Sequence, residues 1–570
     1  MKEFINVHKY FFIGLILTLS LLWPLFAGPY FTHHDDVQTI RLYEMDKCIQ
    51  DGQIPCRWVP DLGGVYGYPL FNYYAPLPYY FGEIFYLITH SLLISAKIMF
   101  GFSFIGSYVL MYLFAKKFWG KIGGSLAAIF YILAPYHALD FYVRGAMGEL
   151  WGLMFFPGIL WAFTKLEEKV NLGNLLLLAS FIFGLIISHN LSAMIFLPTT
   201  LIFCILLFFK RKQQKFLWFS LISLLFGFIL SSFYFLPVIF EKNLVHVETT
   251  TYGYFHYTEH FKGLRKVLIE RIWGYGASVR EVPGGERDGM SFQIGWIHLL
   301  GWVIGLISGW KLWKKNRFLS ITILVSSLFV LLAIFMIHPR SQFVWDAIEP
   351  LMYLQFPWRF LMIVIIYISF IAGSLVLIIP EKLQKKVWIG FALLVIFANF
   401  SYFRPEKFIQ ITDSELLIGQ NWDRVIKRSI FDYLPIYAKA PPAELAVQRY
   451  EILTGDSEII DFKEGSNWIS FKTNTKSHTI LRLSQYYFPN WKIFVDGKEV
   501  ILDYKNNDLG LMTFILGEGN HEIYGRLYDT QIRSISNTLT LLGFLIWVVL
   551  LLTSFKRFRR WLEYYRKRIN

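Results

Sequence analysis

The chain has 570 residues, 55% of them apolar and only 17% charged, with 55 Lys+Arg, 41 Asp+Glu and a formal charge of +14. Soluble globular chains carry about 25% charge, so a simple water-soluble enzyme is excluded. A nucleic-acid reading would survive only if the positive charges formed one patch.

The first apolar run, 10–27, follows Lys2 and Lys9 and exits through Trp23-Pro24 and Gly28-Pro29. No small-residue cleavage site follows it, so it reads as a retained transmembrane helix rather than a cleaved signal peptide. The first external loop, 28–97, opens with Thr32-His33-His34-Asp35-Asp36. Carboxylates and imidazoles are expensive to place at a membrane boundary. Asp35 or Asp36 suits a general base for an acceptor hydroxyl, a ligand to a divalent cation, or an N-cap for a helix over 37–50. Cys48 and Cys56 in the same loop could form one disulfide. Residues 76–93 are apolar, yet a span there would invert every later loop. They read as an amphipathic juxtamembrane helix on the outer face, with Glu83 and His90 toward water, the alternative being a thirteenth span.

Spans are predicted next at 98–115 and 122–139. The short second external loop, 139–149, carries Asp140, Arg144 and Glu149. At helical spacing Asp140 and Arg144 share a face and suit an ion pair, while an arginine near the outer leaflet also suits a lipid phosphate. Spans at 150–164, 174–188, 191–209 and 216–236 follow, with Ser188-His189-Asn190 at the outer end of the fifth. The loop 237–293 contains His246, Glu248 and "HYTEH" at 256–260, which formally fits an H-x-x-E-H zinc pattern. Its flanks supply no third ligand helix, so zinc proteolysis is set aside. Further spans fall at 294–310, 318–337, 359–379 and 387–400. Arg359 in "LQFPWRF" begins the tenth at the outer face and requires a carboxylate or phosphate partner.

From Asn421 to Asp529 the pattern shifts to period two, with strands expected at Ile469–Phe471, Thr479–Leu483, Trp491–Val495 and Thr513–Leu516. Asp496-Gly497 is a hairpin signal and Glu518-Gly519-Asn520 a second turn. The fold class is therefore a polytopic α-helical membrane protein of about 12 spans with an external antiparallel β domain. Residues 1–403 form the membrane module, 404–533 the β-rich domain, and 534–570 the last span, at 536–554, with a basic tail.

The basic clusters lie between alternate runs and at both ends, and hold 25 of the 55 Lys+Arg with only five acids. Short basic loops stay cytoplasmic, which puts both termini inside. The excess charge is a topology signal and no nucleic-acid partner is expected. No P-loop and no strand-borne G-x-G-x-x-G are present.

Acids after the first span, a helix, an aromatic-proline stretch and a second acidic loop together resemble the GT-C superfamily of membrane glycosyltransferases. "THHDDVQTIRLYEMDKCIQDGQIPCRWVPDLGGVYGYPLFNYYAPLPYY", "RGAMGELW", "SHNLSAM", "LQFPWRF" and "YYFPNWKIFVDGKEV" are similar to its YfhO-like branch. Members of that branch are often labelled 6-pyruvoyl-tetrahydropterin synthase-related membrane proteins. The resemblance implies sugar transfer from a polyprenyl-phosphate donor to an extracytoplasmic glycan, lipid or protein, such as a cell-surface polysaccharide. It places Asp35 or Asp36 as the base, with Asp35 preferred, and Asp140 or Glu149 as the second acid. His34, Arg144, His189 and Arg359 would bind substrate, with arginine stabilising the leaving phosphate. No cofactor is obligatory in this scheme, whereas a cation held by the acids would favour a diphosphate donor. The alternative class is a transporter or flippase of lipid-linked saccharides.

Overall fold

The computed structural model describes residues 2–280, 282, 285–428 and 432–569, with side chains from His8 to Ser554 apart from Arg428. Every predicted apolar run falls on a helix. Among the described residues six helices are long and apolar enough to cross a bilayer, and the pair Gln214–Leu230 and Ser232–Phe240, bent by 76°, makes a seventh if it is one span. Length and composition thus support six or seven such elements against the twelve spans expected, and Leu92–Ile132 covers two of the expected runs. His8–Leu21, Leu172–Ser188 and Trp296–Leu312 are apolar but shorter.

The 41-residue element Leu92–Ile132 conceals a reversal. Gly120 lies at φ 69° and ψ −173°, outside helical values. Eight residues along a straight helix are about 12 Å apart, yet a Cβ on Gly124 would lie 2.8 Å from the Lys116 backbone nitrogen. The chain therefore folds back at Gly120, a conformation that glycine adopts without Cβ strain, and its halves match the runs 98–115 and 122–139. Other short turns open with polar caps: Asn171 accepts from the Asn174 amide at 2.8 Å and Asn316 from Leu319 at 3.2 Å.

Met147–Glu168 has 22 residues, about 33 Å of helix, and it orients the bundle. At its C-terminal end buried Glu167 pairs with Lys210 at 3.0 Å and Arg211 at 2.6 Å, and Glu168 with Lys117 at 2.8 Å. Three of the basic loops therefore meet at one end of the bundle. Glu149 stands at the other.

The first loop folds as helices Gln38–Gln50 and Leu77–Thr89, closed by a Cys48–Cys56 disulfide. Val37, without a side-chain cap bond, precedes the first helix, so neither Asp35 nor Asp36 serves as its N-cap. Leu77–Thr89 has 13 residues, about 20 Å of helix against the ~30 Å of a hydrocarbon core. It exposes Ile84, Leu87 and Ile88, as an interfacial helix does. Glu83 corrects the sequence reading. It is buried rather than turned to water, because its helix packs its polar side inward, toward Asp46 on Gln38–Gln50.

The C-terminal part carries a five-stranded antiparallel sheet, Ser457–Glu464, Trp468–Thr475, Gly519–Leu527, Trp491–Val495 and Lys498–Glu499 in spatial order. A three-stranded sheet orders Tyr450–Thr454, Thr479–Tyr486 and Leu511–Leu516. Asp496 and Gly497, at φ 50° and 77°, make the expected hairpin turn. Glu518-Gly519-Asn520 instead leads from one sheet into the other. The core between the sheets includes Phe471, Leu481, Ile493 and Phe514, and it continues into the first loop through Trp58 and Tyr73.

Below the sheets, Glu241 accepts from Arg533 at 2.8 Å, Thr530 at 2.5 Å and Asn72 at 3.1 Å. Arg57 donates to Asn72 at 3.0 Å and Asn537 at 2.7 Å. First loop, bent helix and last helix are locked together there. Tyr30–Phe31 also pairs with Phe408–Ile409.

Burial, reinforced by Asp46, raises the Glu83 carboxyl to about 7. A raised folded-state pKa gives stability that is present below the unfolded value and lost as pH rises through the folded one. Between about pH 4.5 and 7 the wild type should therefore lose stability, and Glu83→Gln should abolish that slope. Melting curves of the detergent-solubilised protein at pH 5 and 8 check this, with the variant melting about 2 °C or more above wild type at pH 8.

Candidate active site

Between the third and fourth predicted spans the chain makes a six-residue π-helical turn, Leu139–Arg144. Such turns are rare and concentrate at functional sites. Asp140 and Arg144 fall on one side of it, joined at 2.5 Å. Gly145, at φ 62°, then redirects the chain into Met147–Glu168, whose first turn carries Glu149. Glu149 accepts two bonds from Arg144, each 2.7 Å, one from Arg359 Nε at 2.7 Å and one from Tyr136 at 3.1 Å. Arg359 also donates to the Leu354 carbonyl at 2.7 Å. All four charged side chains are under 10% exposed. Two anions and two cations balance, which is what makes their burial tolerable. Arg144 further lies 4.7 Å over the Trp358 ring.

The first loop docks on this turn through its backbone. The His34 amide donates to Val143 O and the Asp35 amide to Arg144 O, both at 2.9 Å. Gln38 reaches Gly145 O at 2.8 Å, and a Cβ on Gly145 would strike the His33 ring at 2.4 Å. His33 is buried, which lowers it to about 4 and keeps it neutral. The acidic doublet is thereby split. Asp35 lines a cavity of about 790 Å³, while Asp36 points away to Arg424 at 3.3 Å. His34 lines the cavity with its ring on Tyr275 O at 2.8 Å. His189 caps Asn190–Arg211 by accepting from the Ser192 amide at 3.1 Å, and it too faces the cavity. Gly148 permits this approach, since a Cβ there would lie 2.9 Å from the His189 ring.

Arg144, Glu149 and Arg359 edge the same cavity; Asp140 supports them from behind. The cavity's lining is of two kinds. Arg41, Asp432 and Tyr433 join the predicted residues as polar lining, and the helices Asn190–Arg211, Gln214–Leu230 and Ser232–Phe240 supply apolar lining in Leu191, Met194, Leu197, Phe228, Phe235 and Ile239. Arg41 stacks on Tyr74 at 4.0 Å. Burial raises the Asp432 carboxyl, with Arg41 opposing and Asp35 reinforcing the shift. Lys242 lines the cavity as well, 3.4 Å from the Tyr353 hydroxyl.

Sequence reasoning missed Arg41, Asp432, Tyr433 and Lys242. Arg41 had a signal: a cation in the first turn of a helix opposes its dipole. The "HYTEH" histidines are engaged by other partners, His256 with Thr258 at 2.7 Å and His260 with Ser278 at 3.0 Å. Among the described residues no cluster of three metal-ligating groups occurs.

The family described as "6-pyruvoyl-tetrahydropterin synthase related domain; membrane protein" matches residues 71–405. The chain belongs to that family of membrane proteins. A curated relative, an uncharacterized protein of Lactococcus lactis subsp. cremoris (strain MG1363), is 23% identical over 213 residues, 36% of this chain and 35% of the relative. The chain thus covers about a third of that relative's length. Among solved structures, the mycobacterial arabinofuranosyltransferase AftD is similar over 70% of this chain and 27% of its own, with 12% identity and a TM-score of 0.44. The oligosaccharyltransferase of Archaeoglobus fulgidus is similar over 75% of this chain and 55% of its own, with 12% identity and a TM-score of 0.42. ArnT from Cupriavidus metallidurans, solved bound to undecaprenyl phosphate, is similar over 67% and 62%, with 11% identity and a TM-score of 0.36. These likenesses are too distant to assign an activity.

Removing one partner from a buried ion set strands the others, at about 3–5 kcal/mol. Glu149→Gln should therefore sharply lower the melting temperature and the yield of folded protein. Tyr136→Phe, which removes a single neutral donor, should cost about 1 kcal/mol. Thermal unfolding of both variants in detergent checks the contrast.

Proposed function

We propose that the chain is a membrane glycosyltransferase that moves a sugar from a polyprenyl-phosphate donor to an extracytoplasmic acceptor hydroxyl, inverting the anomeric carbon. The observation that carries this is one cavity lined both by Asp35 with other polar groups and by aromatic and aliphatic side chains from the helices Asn190–Arg211, Gln214–Leu230 and Ser232–Phe240. A substrate with an apolar tail and a polar reacting head matches that combination. The basic loops gather at the opposite end of the bundle, as they would if the cavity opened outside. The Cys48–Cys56 disulfide in the first loop fits an oxidising compartment.

In this reading Asp35 takes the proton of the acceptor hydroxyl as that oxygen attacks the anomeric carbon. The bond from carbon to phosphate oxygen breaks, and its electron pair leaves on the lipid phosphate. Asp35 is the base because it faces the cavity, whereas Asp36 is directed to Arg424. Glu149 and Asp140 act as positioning residues, holding the arginines and the turn on which Asp35 rests. A monophosphate leaving group needs countercharge, which side chains supply. A divalent cation on the acids would instead suit a diphosphate donor. The acceptor is a surface polymer, lipid, glycan or protein.

The bent helix pair Gln214–Leu230 and Ser232–Phe240 in the apolar lining favours a second reading, passage of lipid-linked saccharides without chemistry. Turnover separates the two.

Purified wild type, screened against a panel of polyprenyl-phosphate sugars, should consume at least one and release polyprenyl phosphate. Asp35→Asn should fold and lose about 100-fold or more of that rate, whereas Asp36→Asn should stay within about threefold. Equal turnover in wild type and Asp35→Asn would remove Asp35 from the base role.

A further inference from the structure

Four cationic side chains line the cavity: Arg41, Arg144, Lys242 and Arg359. Two of them are held in ion pairs, and the third, Arg41, feels the charges of Asp35 and Asp432 without pairing with either. Arg144 and Arg359 share Glu149, with Asp140 as a second partner of Arg144. Arg41 lies against Tyr74 in the polar lining that also includes Asp35 and Asp432, so an anion placed there would meet two carboxylates. A phosphate at any of these three would have to compete with an existing carboxylate.

Lys242 differs. Among the described residues its ammonium has no carboxylate partner, and its nearest polar contact is the neutral Tyr353 hydroxyl. Its sequence neighbour Glu241 is committed elsewhere, to Arg533, Thr530 and Asn72. Lys242 follows the end of Ser232–Phe240, whose Phe235 and Ile239 belong to the apolar lining. A cation thus stands just past the end of a helix that supplies part of the apolar lining.

The geometry points to Lys242 as the residue that binds the phosphate of a lipid phosphate, sugar-bonded or free, whose chain lies along Phe228, Phe235 and Ile239. This rests on the reading of the cavity as a lipid-donor site and reassigns its phosphate contact, which the sequence resemblance had placed on Arg144 or Arg359. Those arginines then serve as a neutral brace. A mobile ammonium suits a phosphate that must arrive bonded to sugar and depart free, since Lys acts as a point charge without a fixed fork geometry.

The full chain in nanodiscs is titrated with undecaprenyl phosphate, uncharged undecaprenol and inorganic phosphate, following binding by native mass spectrometry. Wild type should bind undecaprenyl phosphate more tightly than undecaprenol. Lys242→Gln should lose about tenfold or more of the undecaprenyl phosphate affinity while keeping that for undecaprenol. Lys242→Arg should restore most of the loss, and unchanged melting temperatures should show that both variants fold. Undiminished binding of undecaprenyl phosphate by Lys242→Gln would overturn the assignment while leaving the lipid-donor reading intact. Wild type that fails to distinguish phosphate from alcohol would overturn the lipid-donor reading itself. Inorganic phosphate competing as well as the lipid would show a free-phosphate site and also overturn the assignment.

Discussion

The carboxylate of Glu149 holds the centre of this molecule. It is 1% exposed and accepts from Arg144, Arg359 and Tyr136. Without it two guanidinium groups would lie buried beside a single carboxylate, an arrangement a low-dielectric interior does not tolerate. The constraint propagates. Arg144 ends the π-helical turn, and its carbonyl receives the Asp35 amide, so the position of Asp35 depends on where Glu149 holds that turn. Arg359, tied to the same carboxylate, fixes the entry of its own helix and brings Trp358 over Arg144. Charge neutrality in one place therefore sets three separate chain segments.

The C-terminal sheets are attached with similar firmness. Their core continues into the first loop through Trp58 and Tyr73, and the segment leading to them lends Asp432 and Tyr433 to the cavity. Arg57, Glu241 and Arg533 fasten the first loop, the bent helix and the last helix to one another. The segment leading to the sheets is accordingly part of the cavity's enclosure.

Much of this was legible in the residues, for reasons that differ by element. Each apolar run fell on a helix because a backbone in lipid must satisfy itself. Even the reversal at Gly120 was implicit in two runs separated by a basic loop. Four strands were found from alternation. Tyr450–Thr454, Ser457–Glu464 and Gly519–Leu527 were missed because their exposed positions interrupt the apolar pattern. Arg359 stood out as a cation at the wrong end of a span, and its carboxylate partner proved to be Glu149. The same logic applied to Lys242 would have found it. Nothing local could place Asp432 beside Asp35, because only tertiary packing joins them. Glu83 misled, since an amphipathic pattern shows that a helix has two faces and does not say which one meets water.

The pairing of Tyr30–Phe31 with Phe408–Ile409, and of Arg57 with Asn537, has a consequence for biogenesis. The ion set around Glu149 also waits for Arg359, and the cavity wall waits for Asp432. Contacts between such distant segments form late, because the intervening chain must first be made and its loop entropy overcome. While the ribosome is still extending the chain, the first loop has emerged but lacks its partners. Its acids and aromatic residues remain a wet, open surface until the last helix is inserted. A chain cut before Arg359 or Asp432 would therefore carry the first-loop residues without the partners that arrange them.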